Sequence, residues 1–289
     1  MNMLILGCGY LGQRLAARYH EAGIETAGTV RSLHSAKQLK LQGINPLLLD
    51  LDRRPLPQLP VSCNKLFHFI PPPAESCTDP RTAGLVNEFG RQGSPRRLVY
   101  LSTTGVYGDC GGDWVDEQRT PAPHAPRAMR RWDAEETLRG WSRESGGELI
   151  ILRVAGFYGP GRLPLERLRN GLPMVREEEA PFSNRIHIDD LVGVCIAAME
   201  RGKAGEVYNV SDGNPTTMTD YFDRIADLTG LPRPPKIPLQ EARMKLSSGM
   251  LSYMQESRRL DNRKMLDDLG ISLQFPDLRS GLPACFVDS

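Results

Sequence analysis

An apolar run, Leu4-Ile5-Leu6, opens the chain almost at once and breaks at Gly7-Cys8-Gly9-Tyr10-Leu11-Gly12. Beyond it, Leu11, Leu15, Ala16 and Tyr19 recur at helical spacing, and Gly23 closes the stretch. This order predicts a buried strand, a glycine turn and an amphipathic helix over residues 11–22. Residues 25–30 are rich in strand formers and predict a second parallel strand. Leu47-Leu48-Leu49-Asp50-Leu51 predicts a third, ending in a carboxylate, and residues 65–70 a fourth. Arg97-Leu98-Val99-Tyr100-Leu101 predicts a fifth strand, residues 149–154 a sixth, and residues 207–210 a further short one. Prolines punctuate these runs, at Pro55, Pro57 and Pro60 and again at Pro71-Pro72-Pro73. Residues 191–199 and 219–228 are helical in pattern, the second with Tyr221, Phe222, Ile225 and Leu228 on one face.

Strands separated by helical patterns and crossover-length connections predict an α/β chain with a doubly wound parallel sheet of Rossmann type. After Gly161 the pattern changes. Residues 162–181 are polar and irregular, and the run Arg176-Glu177-Glu178-Glu179 predicts a solvated face. Asp189 or Asp190 is expected to cap the helix that follows. Residues 231–289 predict a smaller C-terminal lobe over the binding edge of the sheet. We therefore expect residues 1–155 with 186–210 to form a dinucleotide-binding domain. Residues 156–185 with 211–289 would form the substrate lobe.

Bulk properties narrow the function only by exclusion. The 289 residues are 40% apolar and 25% charged, with a formal net charge of +1. That balance gives no reason to expect nucleic acid or an anionic membrane as partner. The cysteines (Cys8, Cys63, Cys77, Cys110, Cys195, Cys285) form no CxxC pair and no zinc spacing, which favours buried, reduced thiols and a cytoplasmic protein without a metal. No signal peptide or membrane span is expected.

The chemistry starts at the glycine loop. Strand, Gly7-x-Gly9-x-x-Gly12 and helix together suit a dinucleotide. Gly7 would make the tight turn, Gly9 would let the backbone approach a diphosphate, and Gly12 would let helix and strand pack closely. The first helical residues, Tyr10, Leu11 and Gly12, then offer free N–H groups to the anion. Arg31-Ser32 follows the second strand, where an NAD site usually holds a carboxylate. An arginine there suits a 2′-phosphate, so NADP is expected over NAD. Asp50, beside Leu51, either faces the adenine or caps the next turn. The Pro71–Pro73 loop lies where a ligand would sit, and otherwise serves as a stiff connection. Hydroxyls at Ser102-Thr103-Thr104 either meet a substrate oxygen or satisfy turn backbone.

The motifs form a recognisable set. Gly7-x-Gly9-x-x-Gly12, Ser102-Thr103-Thr104-Gly105-Val106-Tyr107-Gly108, the stretch from Leu152-Arg153 to Gly159-Pro160-Gly161, Arg185-Ile186-His187-Ile188-Asp189-Asp190 and Val207-Tyr208-Asn209-Val210 occur in order. Together they resemble the extended short-chain dehydrogenase/reductases, the NAD-dependent epimerase/dehydratase group, over nearly the whole chain. Ser257-Arg258-Arg259-Leu260-Asp261-Asn262, Leu269-Gly270 and Phe275-Pro276 look like the bacterial atypical branch.

The resemblance implies a Ser/Thr after the fifth strand, matched here by Thr103, and a Tyr-x-x-x-Lys pair on the next helix. The tyrosine would fall at Arg127 and the lysine at Arg131, so the acid/base pair is absent. Glu135 matches a glutamate four residues after the lysine. The loop also has one residue fewer than usual between its first two glycines. An arginine stays protonated near neutral pH and cannot replace a phenol as general acid/base. Arg131 can still hold a ribose hydroxyl or phosphate. Arg127 sits in the first helical turn, where a cation opposes the helix dipole, with Arg130 and Arg131 as its neighbours and no acid. A phosphate or carboxylate would relieve it; otherwise its side chain snorkels into water.

Two function classes follow. The first is an NADP-dependent oxidoreductase or epimerase/dehydratase-like enzyme acting on a nucleotide sugar or related small molecule. Its proton would come from Tyr107, Tyr158, His187 or water. The second is a non-catalytic NADP-binding sensor or interaction protein on the same fold. The resemblance also implies a homodimer through helices flanking the sheet.

Overall fold

The computed structural model describes residues 3–53, 56–57, 59, 64–246 and 248–286. Pro55, Pro60 and Cys63 lie outside the described residues. Seven strands build one sheet: β1 (Met3–Leu6), β2 (Thr26–Val30), β3 (Asn45–Leu48), β4 (Lys65–His68), β5 (Arg97–Thr103), β6 (Glu148–Val154) and β7 (Val207–Val210). They run in the order β7-β6-β5-β4-β1-β2-β3, and every pairing is parallel. The order reverses between β1 and β4, which opens a crevice at the carboxyl ends of those strands.

Burial on both faces explains the continuous apolar strands. Ile5, Phe67, Val99 and Ile150 face one side, packed under helix α1 (Tyr10–Glu21) and the Ile188–Arg201 helix. Leu4, Leu6, Leu66, Leu98, Tyr100 and Ile151 face the other, under helices α3 (Pro80–Gln92) and α4 (Pro126–Ser145), with α2 (Leu33–Leu41) between β2 and β3 in sequence. A third cluster joins Tyr158, Leu168, Met174, Tyr221, Ile225 and Leu282 beyond the sheet. Met265 and Leu269, from the Arg263–Leu269 helix, belong instead to the α1 face.

Several expectations are corrected. The third strand stops at Leu48, because Asp50 accepts the Asp52 amide at 3.1 Å and turns the chain. Leu49 is buried and still donates its amide to the Val30 carbonyl of β2 at 3.0 Å, whereas Leu51 is buried beyond the end of the strand. Residues 162–181 are not simply irregular: Leu165–Arg169 is a short helix, and the buried Met174–Val175 pairs with Lys236–Ile237. The exposed acidic run after Arg176 also holds its neighbours, with Glu177 accepting from Thr217 and Glu179 from the Leu239 amide. Neither aspartate caps the helix at residue 188. His187 does so, its Nδ1 accepting the Asp189 amide at 3.3 Å, while Asp190 accepts the Gln274 and Phe275 amides at 2.7 and 2.9 Å. Leu228 is 44% exposed and leaves the buried face of its helix.

Asp212, just past β7, has a pH signature. Burial pushes its carboxyl from 3.8 up to about 7; the Asn214 amide and Arg185 oppose this, and Asp277 and Asp190 add to it. Its Oδ2 has no hydrogen-bond partner. The folded chain holds this proton more tightly than the unfolded chain between those two values. Asp212 therefore costs stability progressively as pH rises from 3.8 towards about 7. Urea unfolding at about pH 5 and about pH 8 is expected to show that loss in the wild type and a smaller one in Asp212→Asn. Equal slopes in both would refute it.

Candidate active site at the carboxyl edge of the sheet

The three loop glycines do different physical work. Gly7 has φ +86°, and a Cβ there would lie 2.9 Å from the Ile70 nitrogen. Gly12 packs on β1, since its Cβ would meet the Gly7 carbonyl oxygen at 3.0 Å and the Ile5 side chain at 3.2 Å. At Gly9 an added Cβ meets nothing within 4 Å, so the side chain would project into open space. Gly9 precedes α1, and no side chain caps the helix. The amides of the first helical residues, Tyr10, Leu11 and Gly12, are thus left for an anion. The Leu11 side chain is buried, so only its backbone can serve a ligand.

Tyr10 carries a feature the sequence did not announce. Its hydroxyl donates to the Pro160 carbonyl at 2.9 Å, and the guanidiniums of Arg14 and Arg162 lie 3.9 and 4.6 Å from its ring centre. Gly159 permits this, because a Cβ there would lie 2.6 Å from the tyrosine oxygen. The glycine pattern after the sixth strand was the available signal. Two cations therefore stand beside the start of α1.

Arg31 is exposed at the end of β2. Ser32 caps α2, its hydroxyl accepting the Ser35 amide at 3.1 Å. Of the two readings of Asp50, the turn cap is the one built by hydrogen bonds.

The C-terminal ends of β5 and β6 open into a cleft of about 650 Å³. Among the described residues, six arginines line it, Arg127, Arg130, Arg131, Arg162, Arg185 and Arg258, against one carboxylate, Glu256. Pro71, Pro72 and Thr103 also line it. Glu256 pairs with Arg258, and both are buried. The Thr103 hydroxyl accepts the Gly105 amide at 3.2 Å, which leaves its proton free to donate into the cleft.

Arg127 and Arg131 both line the cleft and both have protein partners. Arg127 donates to the Ser252 hydroxyl, and at 3.3 Å to the Ser252 carbonyl, while its guanidinium lies 4.2 Å from the Tyr253 ring centre. These contacts from residues 252–253 offset its awkward place in the first turn. Arg131 donates to the Leu101 carbonyl at 2.8 Å and the Tyr100 hydroxyl at 3.2 Å. Glu135 is not its partner. That buried carboxylate binds Arg153 at 2.8 Å, Arg139 at 3.0 Å and the Ser102 hydroxyl.

Three expected proton sources lie off the cleft lining. Tyr107 is 1% exposed, donates to Asn209 at 2.7 Å, and is pushed up to about 12 by burial. Burial also raises Tyr158 and lowers His187, and His187 spends Nδ1 on its helix cap. The tyrosines on the cleft are Tyr221 and Tyr253, which periodicity alone did not single out as site residues. Burial pushes Tyr221 up to about 12.

Comparison with known proteins agrees with this architecture. Protein YeeZ of Escherichia coli (strain K12) is 26% identical over 290 aligned residues, covering 96% of this chain and 97% of its own. A solved structure of a functionally unknown conserved protein from Silicibacter pomeroyi DSS superposes with TM-score 0.86 at 32% identity, covering 98% of this chain and 97% of that one. UDP-glucuronic acid 4-epimerase from Bacillus cereus, solved in complex with NAD, superposes with TM-score 0.79 over 98% of this chain and 97% of that one; at 18% identity the likeness is one of fold. Residues 3–211 match the NAD dependent epimerase/dehydratase family, and the chain belongs to that family.

Proposed function

We propose that the chain binds NADP(H) at the glycine loop and acts as an NADP-dependent oxidoreductase or epimerase/dehydratase-like enzyme. Its substrate would be an anionic small molecule, a nucleotide sugar or a relative of one. One observation carries this reading. The glycine loop and a cleft lined by six arginines against one carboxylate share the carboxyl edge of the sheet. Excess positive charge in a concave site attracts phosphorylated or carboxylated ligands. The Bacillus cereus relative is a UDP-glucuronic acid epimerase, which supports the same substrate class.

In this reading Gly7, Gly9 and the amides of Tyr10, Leu11 and Gly12 cradle the diphosphate. Arg31 and Ser32 take the 2′-phosphate. When bound, the nicotinamide supplies hydride chemistry. Thr103 orients a substrate oxygen with its free proton. Arg127 and Arg131 carry charge and hold structure, and move no proton. Residues 1–155 with 186–210 serve the cofactor, and residues 156–185 with 211–289 the substrate. A cytoplasmic location belongs to the same proposal, supported by described cysteines that are all free thiols. A homodimer belongs to it too, as the family resemblance implies, and sedimentation tests it. No helix among the described residues is long and apolar enough to cross a membrane.

The test is a titration with NADPH and NADH followed by nicotinamide fluorescence, then a turnover screen with UDP-sugars and simple carbonyls. Binding of neither nucleotide overturns the proposal. Arg31→Glu is expected to weaken NADPH by roughly ten- to a hundredfold, the loss of one charge-assisted bond, and to leave NADH unweakened. Parallel losses for both nucleotides would remove Arg31 from the phosphate site. A second reading, binding without catalysis, is favoured by one specific observation. Both positions of the expected acid/base pair are arginines committed to protein partners. Binding without turnover across the screen would select it.

A further inference from the structure

Arg127 joins two sides of the cleft. It lies in the first turn of α4, and its partners lie in the Ser248–Met254 helix. The guanidinium donates to the Ser252 hydroxyl and carbonyl and rests 4.2 Å from the Tyr253 ring centre. Met250 and Tyr253 of that helix line the cleft together with Thr103, Gly105 and Arg131. The helix is therefore one wall of the cleft, and Arg127 ties that wall to α4.

The chain is held firmly on both sides of this helix. Beyond it, the Cys110 and Gly112 amides donate to the Ser257 carbonyl at 3.1 and 3.0 Å, and the Ser257 amide donates to Asp109 at 2.8 Å. Arg258 donates to the Gly108 carbonyl at 2.9 Å. Before the helix, Leu246 is buried in the third apolar cluster, and its amide donates to the Ala242 carbonyl at 2.8 Å. Between these anchors, Met254 is buried but Tyr253 is 54% exposed.

The tie has the chemistry of a reversible latch. Its acceptors, a hydroxyl and a carbonyl, bear no full charge, and Tyr253 offers only the face of a ring. A helix of seven residues is too short to hold itself in water and depends on such contacts. Segments of this kind open locally at far less cost than the whole chain.

We propose that the Ser248–Met254 helix is a movable wall of the cleft and that Arg127 is the latch that holds it in. Release of the latch moves residues 249–254 away from α4 and widens the mouth past Thr103. The position where the resemblance places a proton donor serves access instead. This goes beyond the binding reading, because it holds for any occupant of the cleft.

Hydrogen exchange on the full chain without ligand tests it. Arg127→Met is expected to speed exchange of amides 250–256 by about tenfold or more, through the loss of two charge-assisted bonds. Exchange in β5 and β6 should stay as in the wild type. Arg127→Lys, which keeps a single donor group without the fork, should lie between. Thr103→Cys then reports the mouth. A bulky maleimide, read by peptide mass, should modify it about fivefold faster or more when Arg127→Met is added, with the exposed Cys77 as an unchanged internal reference. Unchanged exchange at 250–256 overturns the proposal. So does a rise shared by β5 and β6, since Arg127 then supports the fold at large. Faster exchange with unchanged labelling of Thr103→Cys overturns it too, because the helix then frays without opening the cleft. No ligand enters either readout, so the NADPH titration stands or falls separately.

Discussion

Gly9→Asp is expected to abolish dinucleotide binding while the chain stays folded. The reasoning separates Gly9 from its neighbours. At Gly7 the backbone has φ +86° and a Cβ would press on the Ile70 nitrogen at 2.9 Å, so any substitution there mixes strain with function. At Gly12 a Cβ would push on β1 and the Gly7 carbonyl. Gly9 has φ −89°, outside the left-handed region, and its Cβ would meet nothing within 4 Å. The protein therefore does not need a glycine at this position for its own packing. A side chain there would project over the start of α1, the proposed diphosphate site. A carboxylate adds repulsion to obstruction. We expect the Kd for NADPH to rise by about a hundredfold or more, about 2.7 kcal/mol. The melting temperature should move by no more than a few degrees, as for a surface change of under about 1 kcal/mol. Fluorescence titration and a thermal melt on the same preparation give both numbers. Affinity within about threefold of wild type would place the diphosphate elsewhere.

The glycine loop was legible because its constraints are local. A strand, a turn with positive φ and a helix start involve neighbouring residues, and their spacing is visible in the chain. Leu4-Ile5-Leu6 was legible for a similar reason: a strand buried on both faces must be apolar throughout. The same rule misled at Leu51, which is buried after the strand has ended. The arginines were read by position but not by partner. Arg127 finds Ser252, 125 residues away, and Arg131 finds Leu101, 30 residues back. Such pairings depend on how distant segments pack, and no periodicity encodes them. Tyr107 and Tyr158 fell to burial, which hydroxyl chemistry on paper does not reveal.

Glu135→Leu is expected to be among the most destabilising single substitutions in the sheet, and Arg153→Met should restore most of what it loses. Glu135 is 0% exposed and Arg153 2%. The carboxylate receives Arg153 through two nitrogens, at 3.2 and 2.8 Å, together with Arg139 and the Ser102 hydroxyl. Arg153 also lies 4.8 Å from the centre of the Tyr107 ring, whose hydroxyl reaches Asn209 on β7. The pair thus ties α4 to β5, β6 and β7 beneath the cleft. Removing the acid alone strands a buried guanidinium, which costs about 3–5 kcal/mol. Removing both leaves an apolar contact that is near neutral if the volume is kept. Urea denaturation of the two single variants and the double variant closes the cycle. A coupling energy of several kcal/mol is expected, roughly ten times that of an exposed pair. Additive losses in the double variant would mean that the two side chains act through separate contacts. The cleft above supplies an independent readout. With Ser102 released and the end of β5 loosened beside Thr103, NADPH affinity should fall in Glu135→Leu and recover with stability in the double variant.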